Sequence, residues 1–256
     1  MLTQLAALSR RAAFRTLRDP SVVAPSLIFP LIFFGVLAGG VRAAGDLPGF
    51  PAESYTAFAF AAPFIQGTLL AAIITATLLA RDIETGFLDR LLLTPAHGLA
   101  IVVGHLAGAA ALASLQAAVF LAIGLLVFGV HIEAGAPGAA TIVAFSVLIS
   151  IGLGGIGVFV ALRTGSAEAV QGLFPIMFAL LFLSSLTLQR ELIDVDWFRA
   201  VATVNPTSYV IEAIRSLIVV GWDAEALGRG LGVLVCVLSL GTGAAVLGLR
   251  GRTQRT

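Results

Sequence analysis

The most polar stretch in the first half of the chain is 81–98, which reads RDIETGFLDRLLLTPAHG. Its acidic side chains are Asp82, Glu84 and Asp89, and Arg81 and Arg90 add two cations. Carboxylates suit charge-assisted hydrogen bonds, which are about twice as strong as neutral ones. The stretch therefore offers a contact surface for another polar molecule.

The basic residues exclude an ordinary P-loop ATPase from this chain. All fifteen are Arg, whereas a Walker A loop needs a Lys on the nucleotide phosphates. The stretch 152–157, GLGGIG, matches the letters of the dinucleotide motif G-x-G-x-x-G. It lies inside an apolar run, without the preceding strand and the downstream acid that the motif needs. We interpret these glycines as a place where membrane helices approach closely.

Other reactive side chains are scattered along the chain. His97, His105 and His131 have no metal-ligand spacing, and the single Cys236 excludes a disulfide within the chain. Ser166 would need a His beside it to act as a membrane protease nucleophile, but it lies in a loop remote from all three. A membrane enzyme is the least supported alternative.

The composition places these residues in a membrane protein. Hydrophobic residues are 59% of the 256 and charged residues 11%, against about 45–50% and about 25% in soluble domains. Six apolar stretches can supply the roughly 20 residues of helix that span a bilayer. They are 23–41, 56–80, 99–130, 137–162, 169–188 and 231–249. The predicted fold is an all-α polytopic bundle, because helices satisfy their own backbone groups in lipid.

The arginines predict the orientation of the bundle. With six spans, ten Arg lie on the side of both termini and five lie opposite, and the more positive side faces the cytoplasm. We therefore expect both termini and 81–98 to be cytoplasmic and 189–228 to be external. No nucleic-acid partner is expected from a net charge of +1.

Residues 1–20 are predicted to form an amphipathic helix on the membrane surface. Arg11, Arg15 and Arg18 share one helical face, and Leu17 lies largely on the other. Basic amphipathic helices of this kind bind anionic lipids. A frayed basic tail is the alternative.

The external stretch 189–228 contains NPTSYVIEAIRSLIVVGW, which predicts a helix with Asn205 as N-cap and Pro206 at its first position. At about fifteen residues it is too short to cross the bilayer. We expect a re-entrant helix that helps to close the exit; a helix on the outer surface is the alternative. Glu212 and Arg215, three positions apart, are expected to pair.

The predicted spans contain no Asp, Glu or Arg well inside the membrane. Ion-coupled transporters usually carry such residues, although backbone carbonyls can serve instead. This favours a transporter powered from outside the membrane, with an ion-coupled transporter or channel as the alternative. Gln66, Thr75, Gln116 and Gln171 remain to line a path or to bond between helices.

Within 81–98, the residues Phe87, Leu88, Leu91 and Leu92 form one apolar stripe. The stripe predicts a short surface helix whose acids point outward. The helix should end near Thr94, because Pro95 disfavours helical geometry in the residue before it.

The sequence at these two regions resembles the permease subunits of type-2 ABC exporters. In that family the loop after the second span reads acid-x-Glu-x-Gly-x-hydrophobic-acid-x-Leu and ends in Thr-Pro or Ser-Pro. The matching residues are Asp82, Glu84, Gly86, Leu88, Asp89, Leu91, Thr94 and Pro95. The second motif, Asn-Pro, an aromatic and Glu-x-hydrophobic-Arg, matches Asn205, Pro206, Tyr209, Glu212 and Arg215. The segment ETGFLDRLLLTP most closely resembles the daunorubicin-type antibiotic-resistance branch of that family.

The resemblance implies one permease domain over 1–256, without enzyme activity or a cofactor of its own. ATP and Mg²⁺ would bind a separate ATPase subunit, and the permease would pair with a second copy or a sister chain in the bacterial plasma membrane. Its cargo would be a hydrophobic or amphipathic drug, lipid or glycan-lipid, moved outward. The stretch 81–98 would be the coupling helix that receives the ATPase's movement, with Gly86 allowing close approach and Phe87 and Leu88 anchoring the helix.

Overall fold

The computed structural model describes residues 2–40, 52, 54–92 and 98–253. Its helices are α1 Leu2–Leu17, α2 Pro20–Gly40, α3 Tyr55–Ala59, α4 Ala61–Glu84, α5 Phe87–Leu92, α6 Gly98–Leu126, α7 Gly135–Thr164, α8 Ala167–Gln171, α9 Leu173–Phe182, α10 Asp196–Val204, α11 Pro206–Val219 and α12 Ala224–Thr253. A 3₁₀ turn covers Arg190–Leu192. The predicted all-α polytopic membrane fold is confirmed.

Five membrane-length apolar helices lie within the described residues: α2, α3 continued by α4, α6, α7 and α12. The expected fifth span, 169–188, is wrong in length, because α8 and α9 together cover only Ala167–Phe182. Pro175 explains the break between them, since it offers no N–H to the carbonyl of Gln171 and its ring crowds that carbonyl. The third span also ends early, at Leu126 rather than at residue 130.

The helices run alternately up and down, so the bundle has two ends. At the first, which we call the α5 end, the last residue of α4 meets the start of α8: the carboxylate of Glu84 accepts a hydrogen bond from the Ala167 N–H at 2.6 Å. At the opposite end, which we call the α11 end, the loop before α7 meets α11, where the Ala134 N–H donates to the carbonyl of Leu217 at 3.0 Å. The family-like motifs lie one at each end.

Glycines bring α7 and α12 into backbone contact. A Cβ on Gly155 or Gly241 would overlap the facing backbone, and one on Gly152 would lie 2.9 Å from the carbonyl of Val237. At these three positions a side chain larger than hydrogen would collide with the facing helix. The interpretation of 152–157 as a helix-packing segment is confirmed.

The N-terminal helix α1 packs along the first half of α6. Added Cβ atoms on Gly104 and Gly108 would lie 3.0 Å from Leu8 Cβ and 3.2 Å from Thr16 Oγ1. The packed face of α1 thus consists of Leu8, Ala12 and Thr16, at helical spacing. Because α1 rests on a protein helix, it is held in place at the α5 end by the bundle itself.

Candidate functional sites at the two ends of the bundle

The turn between α4 and α5 depends on Gly86. Its φ of +67° lies in the left-handed region, which glycine adopts without the cost that a Cβ brings. Nothing lies within 4 Å of the position that a Cβ would take. Among the described residues, the left-handed backbone conformation explains why position 86 is a glycine, whereas close packing against a neighbour does not.

Asp82 faces into the bundle, so the prediction that the acids point outward is wrong for this residue. It is 8% exposed, and its two carboxylate oxygens accept hydrogen bonds from Arg15 Nη1 at 2.7 and 2.8 Å. Because α4 continues as one helix to its last turn, Asp82 extends the buried face marked by Thr75 and Leu79. In the predicted surface helix beginning at residue 81, the Asp82 side chain would instead have pointed outward.

His105 is the third member of this cluster. Its Nε2 lies 3.4 Å from Asp82 Oδ2, and its Nδ1 lies 2.9 Å from the carbonyl of Ile101. Both ring nitrogens thus face oxygen acceptors. Sequence reasoning set His105 aside because it has no neighbouring metal ligand, and no local spacing connects it with Asp82 or Arg15.

Glu84 is exposed at the surface, but its carboxylate is already used within the chain. The hydrogen bond from the Ala167 N–H fixes the end of α4 to the first residue of α8. The nearby Ser166 hydroxyl accepts from the Ala169 N–H and caps the same short helix. Asp82 and Glu84 therefore both connect parts of this chain, and of the two only Glu84 is also exposed to a partner.

The short helix α5 is anchored by its apolar residues, as expected. Leu88 is 1% exposed, and the guanidinium of Arg11 lies over the ring of Phe87, 4.5 Å from its centroid. Arg90 is exposed and donates to the carbonyls of Gly86 and Thr85 at 3.3 and 3.4 Å. The Asp89 side chain, Thr94 and Pro95 lie outside the described residues.

Four helices converge around a small cavity at the α5 end, of about 40 Å³. Its walls include Arg11 and Arg15 of α1, Asp82 of α4, Phe87 of α5 and His105 of α6. A displacement of α5 would therefore act on α1 through a ring contact and on α4 through the Gly86 turn. This arrangement can transmit force from the surface into the membrane helices.

At the α11 end, Asn205 joins two helices. Its Oδ1 accepts from the Thr207 N–H at 2.9 Å, which confirms it as the N-cap of α11 before Pro206. Its Nδ2 donates to the carbonyls of Leu180 and Leu183 at 2.6 and 2.9 Å. These carbonyls lie where α9 unwinds, so Asn205 satisfies acceptors that the end of that helix leaves without partners.

Arg215 binds the same unwound segment, and its predicted pairing with Glu212 is wrong. Its Nη2 donates to the carbonyls of Ser185 and Leu186 at 2.9 Å each, and its Nε donates to the carbonyl of Phe58 at 3.1 Å. The guanidinium also lies 3.5 Å from the centroid of the Phe58 ring. Arg215 thereby fastens α11 to both α3 and the end of α9.

Glu212 pairs instead with Arg190, which sequence reasoning missed. The two form a bidentate pair at 2.8 and 2.6 Å. Burial alone would lower the pKa of Arg190, but the hydrogen bond and charge of Glu212 outweigh it and raise the pKa. The Arg190 guanidinium also lies 4.6 Å from the ring centroid of Tyr209, whose hydroxyl donates to the carbonyl of Thr203 at 2.7 Å.

The helix α11 itself is embedded in the bundle. Both of its faces are covered: Val210, Ile214, Leu217 and Ile218 are buried, and so is Arg215. Its neighbours include α12, α4, α7, α3 and α9. A helix lying on the outer surface would leave one face open, so this packing favours the re-entrant interpretation.

Comparison with protein families gave one match. Residues 3–219 match the family model described as ABC-2 type transporter. The matched range begins within α1 and ends at the last residue of α11, so it includes the described residues of both candidate sites; α12 follows it. No curated protein matched the chain.

Proposed function

The chain belongs to the ABC-2 type transporter family, and from that premise we propose that it is the permease subunit of an ATP-driven exporter. As the membrane domain of an ABC transporter, it provides the pathway. The proposed cargo is a hydrophobic or amphipathic molecule, and the resemblance to the daunorubicin-type branch favours a drug over a lipid or a glycan-lipid. ATP and Mg²⁺ are proposed to bind a separate ATPase subunit, the usual arrangement in this family.

The observation that carries the proposal is the way α5 is held. A six-residue helix lies between two long membrane helices, is anchored by Leu88 and contacts α1 through Phe87 and Arg11. A mere connector between two spans needs neither a left-handed turn nor a ring contact with a third helix. We assign 81–98 as the coupling segment on which the ATPase acts.

The proposed path of movement follows α4. Force on α5 reaches the last turn of α4 through the Gly86 turn and the Asp82–Arg15 pair. At its other end, α4 follows α3, whose Phe58 carbonyl accepts from Arg215 of α11. A shift of α4 would therefore move α11 through this contact, and we propose that α11 is the external gate helix.

We further propose that the α5 end faces the cytoplasm of a bacterial cell, with the α11 end outside. The counts of ten Arg on one side of the predicted topology and five on the other support this orientation. The permease is proposed to assemble with a second copy or a sister permease. On the exposed outer side of α1, Phe14 and Leu17 lie beside Arg18, an arrangement suited to anionic lipid.

Site-directed cross-linking tests both orientation and coupling. In a Cys236→Ala background, single cysteines replace the exposed residues Arg90 at the α5 end and Glu225 at the α11 end. We expect photo-cross-linking from position 90 to capture an ATPase, and an impermeant maleimide to label position 225 in intact cells. Capture from position 225, or external labelling of position 90, would refute the assignment.

A further inference from the structure

An apolar cavity of about 250 Å³ lies beside the start of α11, and its walls come from α4, α7, α9, α11 and α12. Thr68 of α4, Leu153 of α7 and Val233 of α12 are three of the lining residues. Each lies more than about 10 Å along its helix from either end, at 1.5 Å per residue. The cavity is therefore at the depth of the hydrocarbon core of the bilayer.

The start of α11 closes this cavity toward the α11 end of the bundle. Pro206, Thr207 and Val210 line it, whereas near the other end of α11 the carbonyl of Leu217 bonds the loop before α7. Because α11 is too short to cross the bilayer, its first turn stops inside the bundle. The cavity is the space that this short helix leaves between α4, α7, α9 and α12.

The cavity offers little to a polar ligand. Its described lining residues carry no charge and only two hydroxyl groups, those of Thr68 and Thr207. Thr68 donates its hydroxyl hydrogen to the carbonyl of Ile65 at 2.7 Å, and the carbonyl of Leu180 accepts from Asn205. A buried water needs about two to four polar partners, and an apolar cavity of about 150 Å³ stays dry and binds benzene. This larger cavity is likewise suited to an apolar ligand.

We propose that the cavity binds an uncharged hydrocarbon group, a ring or a short alkyl chain, beneath α11. Burial of apolar surface drives such binding, and the unbranched Met177 side chain in the wall adapts to ligands of different shape. Leu180 and Pro206 are the exposed lining residues, so the group enters where α9 and α11 meet. It belongs to a free apolar molecule or to the acyl chain of a lipid, which share this chemistry. Only the interpretation of the free molecule as cargo rests on the proposed function.

Photolabelling of the full-length chain in phosphatidylcholine nanodiscs, without ATPase, tests the site separately from export. One probe is trifluoromethyl-phenyldiazirine, a small uncharged ring; the other is phosphatidylcholine with a diazirine at the end of one acyl chain. The position to read by mass spectrometry is Thr68, which is 1% exposed and so is reached through the cavity. We expect its labelling to saturate with the small probe. Labelling by the lipid probe as well indicates an acyl chain, and labelling by the small probe alone indicates a free molecule.

A matched pair of variants on α12 locates the site. Val233→Trp places an indole in the cavity, whereas Val235→Trp places the same group on an exposed position outside the cavity wall. Labelling of Thr68 should fall by about tenfold or more in Val233→Trp, because the close-packed interior has no room for both rings. Val235→Trp should label like the wild type.

Competition in the wild-type chain provides a second measurement, which decides the matter if Val233→Trp does not fold. Excess benzene should suppress labelling of Thr68 and leave that of Leu240, an exposed residue of α12, unchanged. The proposal is overturned if neither probe labels Thr68, if benzene suppresses both positions equally, or if the two Trp variants label alike. It is also overturned if labelling of Thr68 rises without saturation, as expected for a residue that merely faces lipid.

Discussion

The two ends of the bundle use arginine in different ways. At the α5 end, the Arg15 side chain is 42% exposed and bonds an ionised partner, Asp82. At the α11 end, Arg215 is 6% exposed and bonds neutral carbonyls. A half-exposed ion pair is weak and can be broken and remade, whereas a buried fork that holds three backbone groups cannot be released cheaply. The α5 end is thus suited to repeated movement, and the α11 end to a fixed joint around which α11 moves.

The largest effect should come from breaking the fixed joint. Arg215→Ala leaves the carbonyls of Phe58, Ser185 and Leu186 without their donor, so we expect a loss of roughly 3–5 kcal/mol of stability. Thermal unfolding of the purified protein measures it. Arg229→Ala, which breaks an exposed i,i+4 pair with Glu225 at the same end, should change stability by less than about 0.5 kcal/mol. Similar losses of stability in the two variants would show that the buried Arg215 stabilises the fold no more than the exposed Arg229 does.

The next effect lies at the α5 end. Asp82→Asn removes the charge that holds Arg15 and faces His105, and we expect a loss of about 1–2 kcal/mol, limited by the exposure of Arg15. Limited trypsin digestion should cut α1 faster at Arg11 and Arg15, because the helix is held less firmly.

A double-mutant cycle assigns this effect to the pair. Arg15→Ala and Asp82→Asn should be less than additive, since each removes the same contact. Additive losses would show that Asp82 acts through His105 or through α4 alone, and that α1 is not held by this pair.

A smaller effect should follow from the turn between α4 and α5. Gly86→Ala meets no steric obstacle but places a Cβ on a residue at positive φ, which costs about 1 kcal/mol. Gly86→Asn should cost less, because Asn tolerates the left-handed region. Hydrogen exchange of the α5 amides in the two variants measures this order. Equal exchange in wild type and Gly86→Ala would mean that the turn does not hold α5.

The smallest effect should come from Glu84→Gln. The amide oxygen can still accept from the Ala167 N–H, and only the charge assistance is lost, so we expect about 0.5–1 kcal/mol or less. Glu84→Ala, which removes the acceptor, should cost more. The order of their thermal midpoints tests whether this hydrogen bond, rather than the charge at the surface, is the structural role of Glu84.

Local sequence patterns predicted the helices well but predicted the hydrogen-bonding partners of individual side chains poorly. Asn205 and Pro206 start α11 as expected, because a cap and a first-turn proline act within a few residues. Apolar length likewise identified the membrane helices. The expected fifth span was too long, because hydrophobicity alone does not register that Pro175 breaks a helix or that carbonyls from 180 to 186 find donors on α11.

The ion pairs could not be predicted from the spacing of charged residues along the sequence. Glu212 and Arg215 have the right separation to pair, yet each finds a better partner elsewhere: Arg190 offers a bidentate fork, and the end of α9 offers carbonyls. Arg15 and Asp82 are 67 positions apart, so only the packing of α1 on α6 brings them together. Pairing rules along one helix are worth only about 0.2–0.5 kcal/mol and yield to such tertiary contacts.

If the α5 end receives the ATPase, charge reversal there should weaken ATPase binding, and the same change at the α11 end should not. The permease is reconstituted in lipid, and the dissociation constant of its ATPase subunit is measured for wild type, Glu84→Arg and Glu225→Arg. The two variants make the same charge reversal at exposed residues at opposite ends. We predict that Glu84→Arg weakens ATPase binding by about tenfold or more, the loss of one charge-assisted contact, whereas Glu225→Arg binds like the wild type. Equal affinities for all three, or a loss confined to Glu225→Arg, would contradict the assignment of 81–98 as the coupling segment.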